Sequence, residues 1–279
     1  MRDAPHALPP NSAHSKKMTD ALARLVPVLD RFDRLAIAVS GGVDSMTLAH
    51  VAARHSRTQA TMYHATSPAV PASARERVGA HAARHGWNLV VVDARELADD
   101  RYRANPVDRC YYCKTNLYDR IASVTRDTIA SGTNVDDLTD FRPGLRAASE
   151  HDVVHPYVEA KIAKSDIYAI AESLELRDLE RLPAQPCLSS RVETGIAIDP
   201  IDLAFIDAVE TQLAQGLGRE ATVRCRVTHA GIVIELGDAA NEAVAHEIGR
   251  AACLAEGRAF AGVRPYARGA AFLRRVSHG

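Results

Sequence analysis

Short unbroken apolar runs recur along most of the chain, and longer segments with apolar residues at helical spacing lie between them. Runs this short, bounded by glycine and polar residues, predict buried strands. They cover residues 35–39, 60–65, 89–93, 128–131 and 153–154. The periodic segments predict helices at residues 21–29, 46–52, 73–85, 111–124 and 164–174. Strands that alternate with helices predict an α/β fold, with a parallel sheet covered on both faces and ligands bound at the carboxyl ends of its strands.

The pattern changes near residue 199, where the regular alternation stops. A long helical segment, two strands, a second helix and a last strand follow, at residues 199–217, 222–227, 231–236, 239–255 and 260–263. We therefore predict a larger domain over residues 18–198 and a smaller C-terminal α+β domain over residues 199–279. Residues 1–17 combine prolines with small polar residues and lack apolar periodicity, so they are predicted to be a disordered leader.

A glycine-rich turn follows the first predicted strand and precedes a helix, with the sequence Ser40-Gly41-Gly42-Val43-Asp44-Ser45. Two glycines let the backbone approach a ligand closely, and the positive end of the helix favours an anion. The two serines add hydroxyl donors, and Asp44 is suited to cap the helix or to hold a magnesium ion. The glycines alone would also fit an ordinary helix N-cap. The complete string, however, resembles the loop of PP-loop enzymes, which split ATP into AMP and pyrophosphate.

The loop differs from a Walker loop, because no lysine follows its glycines to bind the β- and γ-phosphates. We therefore expect ATP and Mg²⁺ as cofactors of pyrophosphate-forming chemistry.

Three of the five cysteines lie in sequences that indicate chemistry. Cys110 and Cys113 form a C-x-x-C pair at the start of a predicted helix, where they could bind a metal, form a redox disulfide or simply fill the core. Cys187 lies on a loop with prolines and polar residues, near Arg191, whose charge favours a thiolate that acts as nucleophile or ligand. A structural zinc site would require a fourth ligand, whereas three thiolates suit an iron–sulfur cluster with one open iron. The other two are predicted core residues, Cys225 and Cys253.

Beyond the loop, longer motifs resemble the LarE family of sulfur transferases, which build the nickel-pincer nucleotide cofactor. Those motifs are residues 109–114 (RCYYCK), 132–137 (GTNVDD), 142–147 (RPGLRA) and 187–191 (CLSSR). The resemblance covers nearly the whole chain after residue 20, and it implies a Rossmann-like PP-loop domain. It also implies that ATP adenylates a carboxylate of pyridinium-3,5-biscarboxylic acid mononucleotide, that sulfur captures the acyl group and that a thiocarboxylate is released. AMP is a good leaving group for this capture, whereas a free carboxylate resists a sulfur nucleophile.

The same resemblance assigns roles to individual residues. Catalysis falls to Cys187, Arg191 and Lys114. Nucleotide and substrate contacts fall to Ser40, Gly41, Gly42, Asp44, Ser45, Gly132, Asn134, Asp137, Arg224 and Arg226. Asp44 and Glu235 are the expected ligands of Mg²⁺. Alternating charges such as those of Arg224 and Arg226 on a strand would also fit a solvated face.

The resemblance leaves two sources for the transferred sulfur. In one, Cys110, Cys113 and Cys187 hold a 4Fe–4S cluster that carries an exchangeable sulfur. In the other, Cys187 gives up its own sulfur and becomes dehydroalanine. The cluster is our preferred interpretation, because the C-x-x-C pair accompanies Cys187. Sulfide or another sulfur donor is expected as a partner, and the resemblance suggests a homo-oligomer.

Composition and charge bear on partners and compartment. A net charge of −1 and 47% hydrophobic residues describe an ordinary globular protein and count against a nucleic-acid partner. We find no apolar run long enough to cross a bilayer and no signal peptide, so no membrane partner is expected and the predicted compartment is the cytoplasm.

Three alternatives remain open. A PP-loop tRNA thiolase can combine this loop with a C-x-x-C pair and a distant cysteine. An ammonia-dependent PP-loop amide ligase would not require Cys187. A nucleotide or iron–sulfur sensor would bind ATP without splitting it.

Overall fold

The computed structural model describes residues 12–139, 143–183, 185–218 and 221–267. The helices of its first part are α1 (Ser12–Leu29), α2 (Val43–His55), α3 (Ala72–His85), α4 (Asp100–Arg103), α5 (Arg109–Ala122), α6 (Pro143–Glu150), α7 (Pro156–Glu159) and α8 (Lys164–Ser173). The strands are β1 (Arg34–Ala38), β2 (Gln59–Thr66), β3 (Asn88–Asp93) and β4 (Thr128–Ala130).

These strands form one parallel sheet in the order β3-β2-β1-β4. The buried side chains of β1 alternate between its two faces, as the geometry of a strand requires. Leu35 and Ile37 join the core formed with α1, α2 and α8, whereas Ala36 and Ala38 join the core formed with α5 and α6. The sheet is therefore covered on both faces, and the predicted α/β fold with a parallel sheet is confirmed.

A smaller unit follows, with the elements α9 (Pro200–Leu217), β5 (Val223–Thr228), β6 (Gly231–Leu236), α10 (Glu242–Ala255) and β7 (Phe260–Pro265). Its three strands form a mixed sheet in the order β5-β6-β7, with β5 antiparallel and β7 parallel to β6. The predicted α+β architecture is confirmed. The core of this unit also contains Tyr102 and Leu188, so the boundary at residue 198 stays a prediction. Among the described helices, none combines the length and apolar character required to cross a bilayer.

Some elements differ from the sequence prediction. In place of a strand at residues 153–154, Val154 makes a single bridge to Ala130, because Pro156 starts α7 immediately afterwards. Helix α1 begins at Ser12, inside the predicted leader, whereas residues 1–11 lie outside the described residues. The short helices α4, α6 and α7 went unpredicted, since they span too few residues to show an apolar period.

A histidine cluster (His50, His55, His81 and His85) lies near the carboxyl ends of α2 and α3. The ring centroids of His50 and His85 are 4.7 Å apart, and those of His81 and His85 are 5.3 Å apart. Burial, and then the charges of the neighbouring histidines and Arg54, lower the pKa of His50 to about 4. Folded His50 therefore stays neutral at pH values where an exposed histidine is already charged.

Acidification from pH 6.5 towards pH 4 is expected to reduce the free energy of unfolding by about 2 kcal/mol through His50. The unfolded chain takes up a proton at His50 near pH 6.5 and the folded chain does not. The contribution of neutral His50 to the free energy of unfolding is therefore fully present above pH 6.5 and is lost as the pH falls towards 4. Urea unfolding at several pH values measures the change. His50→Gln should flatten the dependence, whereas His246→Gln, at an exposed position, should keep it. An unchanged slope in His50→Gln would contradict the explanation.

Candidate active site

The PP-loop (residues 40–45) connects β1 to α2 at the carboxyl edge of the parallel sheet. Gly42 is the N-cap of α2 and has no side chain that could accept from the first N–H groups of the helix. Those groups are therefore available to an anion. Gly41 has a φ of 84°, and a Cβ atom there would lie 2.9 Å from Cβ of Ala74. This loop thus has the geometry of a phosphate cradle, and Gly41 requires glycine.

Hydrogen bonds between its two serines organise the loop. Oγ of Ser45 accepts from the backbone N–H of Ser40 at 3.0 Å and donates to the carbonyl of Gly42 at 3.2 Å. The hydroxyl oxygens of Ser40 and Ser45 are 3.1 Å apart. Ser45 is buried and Ser40 is exposed, so of the two serines Ser40 is the one accessible from solvent.

Asp44 lies on the first turn of α2 without capping the helix. Both of its carboxylate oxygens accept from Nζ of Lys164, at 2.7 and 2.6 Å, and Nδ2 of Asn134 lies 3.4 Å from Oδ1. Burial raises the pKa of Asp44, Lys164 opposes this shift, and Asp137 adds to it. Lys164 is therefore the main group that opposes the effect of burial on this carboxylate.

Lys164 was missed in the sequence analysis. It is the first residue of α8, where the positive end of the helix dipole disfavours a cation. That unfavourable position was the available signal that a carboxylate from elsewhere in the fold pairs with it.

Residues 132–137 pack directly against the PP-loop. A Cβ atom on Gly132 would lie 2.8 Å from the backbone nitrogen of Ser45, so only glycine fits. Asn134 caps the turn at Val135–Leu138, since its Oδ1 accepts from the N–H of Asp136 and its own N–H donates to Asp137. This turn sets the Asn134 side chain beside Asp44 of the loop, and its contact with a ligand stays a prediction.

Cys110, Cys113 and Lys114 lie at the start of α5. Burial raises the pKa of the Cys113 thiol, and the nearby Cys187 raises it further. The pKa of Lys114 is raised first by Tyr118 and also by all three of these cysteines. The structure thus brings these four predicted residues into one electrostatically coupled region, in which Cys113 is favoured as a neutral thiol.

The cysteine loop (residues 185–191) carries Cys187 and is held mainly by Arg191. The guanidinium of Arg191 is buried and binds both carboxylate oxygens of Glu210, each at 2.9 Å. Its Nη1 atom donates to the carbonyls of Pro186 at 2.6 Å and of Cys187 at 3.1 Å. Arg191 therefore shapes the loop backbone through direct contacts, and Glu210 neutralises much of the charge that was expected to favour the thiolate.

Tyr102 is a second residue that the sequence analysis missed. It is buried on α4, and its hydroxyl oxygen lies 2.5 Å from Oγ of Ser189 in the cysteine loop. Burial and the neighbouring Cys187 and Cys113 raise its pKa. The same loop is joined to the segment that follows β2, where the N–H of Leu188 donates to the carbonyl of Ala69 at 2.8 Å.

Arg226 and Glu235 form a buried ion pair between β5 and β6. Nε of Arg226 lies 2.5 Å from Oε2 of Glu235, and Nη1 of Arg226 donates to the carbonyl of Ser190 at 2.9 Å. Arg264 binds the other oxygen of Glu235 at 2.8 Å. The solvated-face alternative is therefore wrong for Arg226, which supports the cysteine loop. Arg224 is half-buried, and burial followed by Arg191 lowers its pKa.

Replacing Glu235 with glutamine should lower the free energy of unfolding by about 3 kcal/mol, because it removes the charge that neutralises buried Arg226. Urea unfolding measures the effect. The matched control is Glu247→Gln at an exposed position of α10, which should change stability by less than about 0.5 kcal/mol. Equal midpoints for the two variants would show that the buried pair does not stabilise the fold.

Within the part of the chain that the structure describes, no group of three or more histidine, cysteine or acidic side chains is arranged to hold a metal ion. Cys110, Cys113 and Cys187 lie in one region, form no disulfide and do not make up a ready ligand set. The arrangement therefore gives the 4Fe–4S cluster no support. The predicted Mg²⁺ ligands Asp44 and Glu235 engage cationic side chains in this arrangement, and their metal role stays a prediction.

Comparison with known proteins gives no matching family model. The chain is 36% identical over 196 residues to an uncharacterized protein of Synechocystis sp., which covers 69% of this chain and 73% of that protein. It is 30% identical over 222 residues to the pyridinium-3,5-bisthiocarboxylic acid mononucleotide synthase of Lactiplantibacillus plantarum, and the match covers 78% of this chain and 79% of that protein. It is 26% identical over 197 residues to the tRNA-cytidine(32) 2-sulfurtransferase of Syntrophotalea carbinolica, covering 62% and 73%.

A parallel sheet whose first strand leads through this loop into a helix, together with these relatives, defines an ATP-using enzyme of the PP-loop superfamily. Its chemistry is ATP-dependent sulfur transfer, with ATP and Mg²⁺ as cofactors. The chain belongs to the LarE family, of which the synthase of Lactiplantibacillus plantarum is a member.

Proposed function

We propose that this enzyme adenylates a carboxylate of pyridinium-3,5-biscarboxylic acid mononucleotide and converts it to a thiocarboxylate for nickel-pincer nucleotide synthesis. The observation that carries the proposal is the docking of the cysteine loop at the carboxyl edge of the sheet. Leu188 donates to Ala69 just beyond β2, on the edge where the PP-loop follows β1. A nucleophilic sulfur and an adenylating loop thereby share one side of the molecule.

The PP-loop residues account for the first half of the reaction. The free N–H groups at the start of α2 bind phosphate oxygens, and the exposed hydroxyl of Ser40 adds a donor. Asp44 is the carboxylate that would hold Mg²⁺, whose role is to neutralise phosphate charge. Lys164 then shares its charge between Asp44 and the phosphates. The carboxylate of the substrate attacks the α-phosphorus of ATP, so pyrophosphate leaves and an acyl-adenylate forms.

Cys187 accounts for the second half. Its thiolate attacks the acyl carbon, the bond to AMP breaks, and AMP leaves with that electron pair as a thioester forms. A base then removes the Cα proton of Cys187, and the Cβ–Sγ bond breaks with its electron pair on sulfur. The product is a thiocarboxylate, and residue 187 becomes dehydroalanine. Arg191 and Arg226 hold the loop backbone in place through both steps.

The cluster-borne sulfur remains the second candidate. It is favoured because Cys110, Cys113 and Cys187 all raise the pKa of Lys114, which places the three thiols in one region. The arrangement of these described cysteines counts against it, because they do not form a ready ligand set. We therefore favour Cys187 itself as the sulfur source, in contrast to the preference from sequence.

Intact-mass measurement after one incubation tests the proposal. The anaerobically purified chain is incubated with ATP, Mg²⁺, sulfide and the biscarboxylate mononucleotide. Thiocarboxylate with loss of one hydrogen sulfide from Cys187 supports the sacrificial route, and thiocarboxylate with intact Cys187 supports the cluster. Absence of thiocarboxylate, pyrophosphate and AMP from an ATP-binding protein would overturn the proposed function.

A tRNA thiolase is the alternative to which the 26% identical relative points. It predicts tRNA binding that weakens steeply as salt rises, because phosphate contacts release counterions. We expect no such binding.

Oligomerisation into a homo-oligomer is also proposed from the family resemblance, and light scattering of the purified chain tests it.

A further inference from the structure

Arg77, on α3, contacts both the PP-loop and the cysteine loop. Its Nη1 atom donates to the carbonyl of Gly41 at 2.7 Å and to Oε1 of Gln185 at 3.2 Å. Gly41 belongs to the phosphate cradle, and Gln185 precedes Cys187 on the cysteine loop. One guanidinium nitrogen therefore links the loop that binds ATP to the loop that carries the sulfur nucleophile.

The contact with Gly41 sets the orientation of one peptide unit. A trans peptide is planar, so its C=O and N–H point in opposite directions. Because the carbonyl of Gly41 points at Arg77, the N–H of Gly42 points away from it, towards Oγ of Ser40 at 3.4 Å. That is the interior of the cradle. Gly41 is at a φ of 84°, where glycine allows several orientations of this peptide, and the arginine selects one.

Packing fixes the start of the helix that carries this arginine. The first turn of α3 lies against the loop, since Ala74 is in contact distance of any atom added to Gly41. The N–H of Ala72, at the start of the same helix, donates to Asp207 of α9 at 3.1 Å. Arg77 is half-buried, and its charge makes its hydrogen bonds stronger than neutral ones. The start of α3 is thus held from two sides.

We propose that Arg77 is a positioning residue for ATP. It presets the N–H of Gly42 for a phosphate oxygen, and it ties that arrangement to the cysteine loop through Gln185. The inference rests on the binding of ATP by the PP-loop, which is part of the proposed function, and is independent of the carboxylate substrate and of the sulfur source.

Calorimetric titration of the full chain with Mg²⁺ and α,β-methylene-ATP, which cannot release pyrophosphate, tests it. Arg77→Met should weaken the affinity about tenfold to a hundredfold, through loss of a charged hydrogen bond and of the preset N–H. Arg77→Lys should recover part of the loss, because an ammonium can still donate to the carbonyl of Gly41. Gln185→Ala should keep the affinity within about twofold and slow thiocarboxylate formation several-fold, since it releases only the cysteine loop.

The matched control is Arg75→Met, which removes the same charge from an exposed position of the same helix. Its affinity should stay within about twofold of the parent chain. Equal affinities for Arg77→Met and Arg75→Met would overturn the inference, as would an Arg77→Lys variant no better than Arg77→Met. If Arg77→Met does not fold, the lysine and Gln185 variants decide alone. Failure of the parent chain to make thiocarboxylate would count against the proposed function and leave the affinity pattern to judge Arg77.

Discussion

Replacing Cys187 with alanine is expected to stop thiocarboxylate formation while pyrophosphate release from ATP continues. The side chain makes no capping hydrogen bond to the turn at Leu188–Arg191, and Arg191 contacts the backbone carbonyl of residue 187, which alanine keeps. The loop should therefore keep its shape. The loss should exceed about a thousandfold, since a nucleophile that forms the covalent intermediate has no substitute.

Two assays separate the halves of the reaction. Mass spectrometry of the mononucleotide product reports sulfur transfer, and isotope exchange between pyrophosphate and ATP reports adenylation. The control is Cys253→Ala, which removes a thiol from the buried face of α10 and should leave both assays unchanged. Full thiocarboxylate formation by Cys187→Ala would point to an external sulfur nucleophile, such as sulfide, as the acceptor of the acyl group.

The PP-loop could be placed from sequence because its requirements are local. A buried strand, two glycines and a helix rich in apolar residues define the turn by themselves, and the structure shows Gly42 as N-cap and Gly41 at positive φ. The alternation of Leu35 to Ala38 between two cores follows from strand geometry alone. Such features depend on neighbours within a few residues.

The partners of the site residues could not be placed, because they come from distant parts of the chain. Asp44 meets Lys164 across 120 positions, and Arg77 meets Gln185 across 108. Neither contact corresponds to a spacing that could be recognised in the sequence. Arg191 illustrates the same limit: its charge was expected to act on the Cys187 thiol, but Glu210 on α9 takes up its guanidinium. Which carboxylate faces a buried arginine is decided by tertiary packing.

These distant contacts also explain why the predicted Mg²⁺ ligands are paired with cationic side chains in the fold. A half-buried carboxylate such as Asp44 requires a counter-charge, and a lysine supplies it in this arrangement. In the proposed reaction Asp44 would hold Mg²⁺, whose charge would then neutralise the carboxylate while Lys164 would be available to phosphate. The sequence indicates a candidate metal ligand, and the structure adds the cation that pairs with it.

Lys164→Met should therefore reduce the rate of adenylation by about a hundredfold to a thousandfold, the cost typical of losing one donor that stabilises developing charge. The change also removes the contact that opposes the upward pKa shift of Asp44, so burial and Asp137 should raise that pKa further. A protonated Asp44 cannot hold Mg²⁺ well, which predicts that on acidification the rate falls at a higher pH than in the parent chain. Pyrophosphate exchange measured across pH at saturating ATP gives both results.

The control for this prediction is Lys161→Met, which removes an exposed charge just before α8 and should leave the rate and its pH profile unchanged. Lys164→Arg should restore part of the rate, because a guanidinium can bind a carboxylate in two places. If Lys164→Met keeps the parent rate and pH profile, the pairing of Lys164 with Asp44 is structural only. A lower rate with an acid limb shifted to higher pH, rescued by arginine, requires instead that the lysine charge serves both the carboxylate and the phosphates.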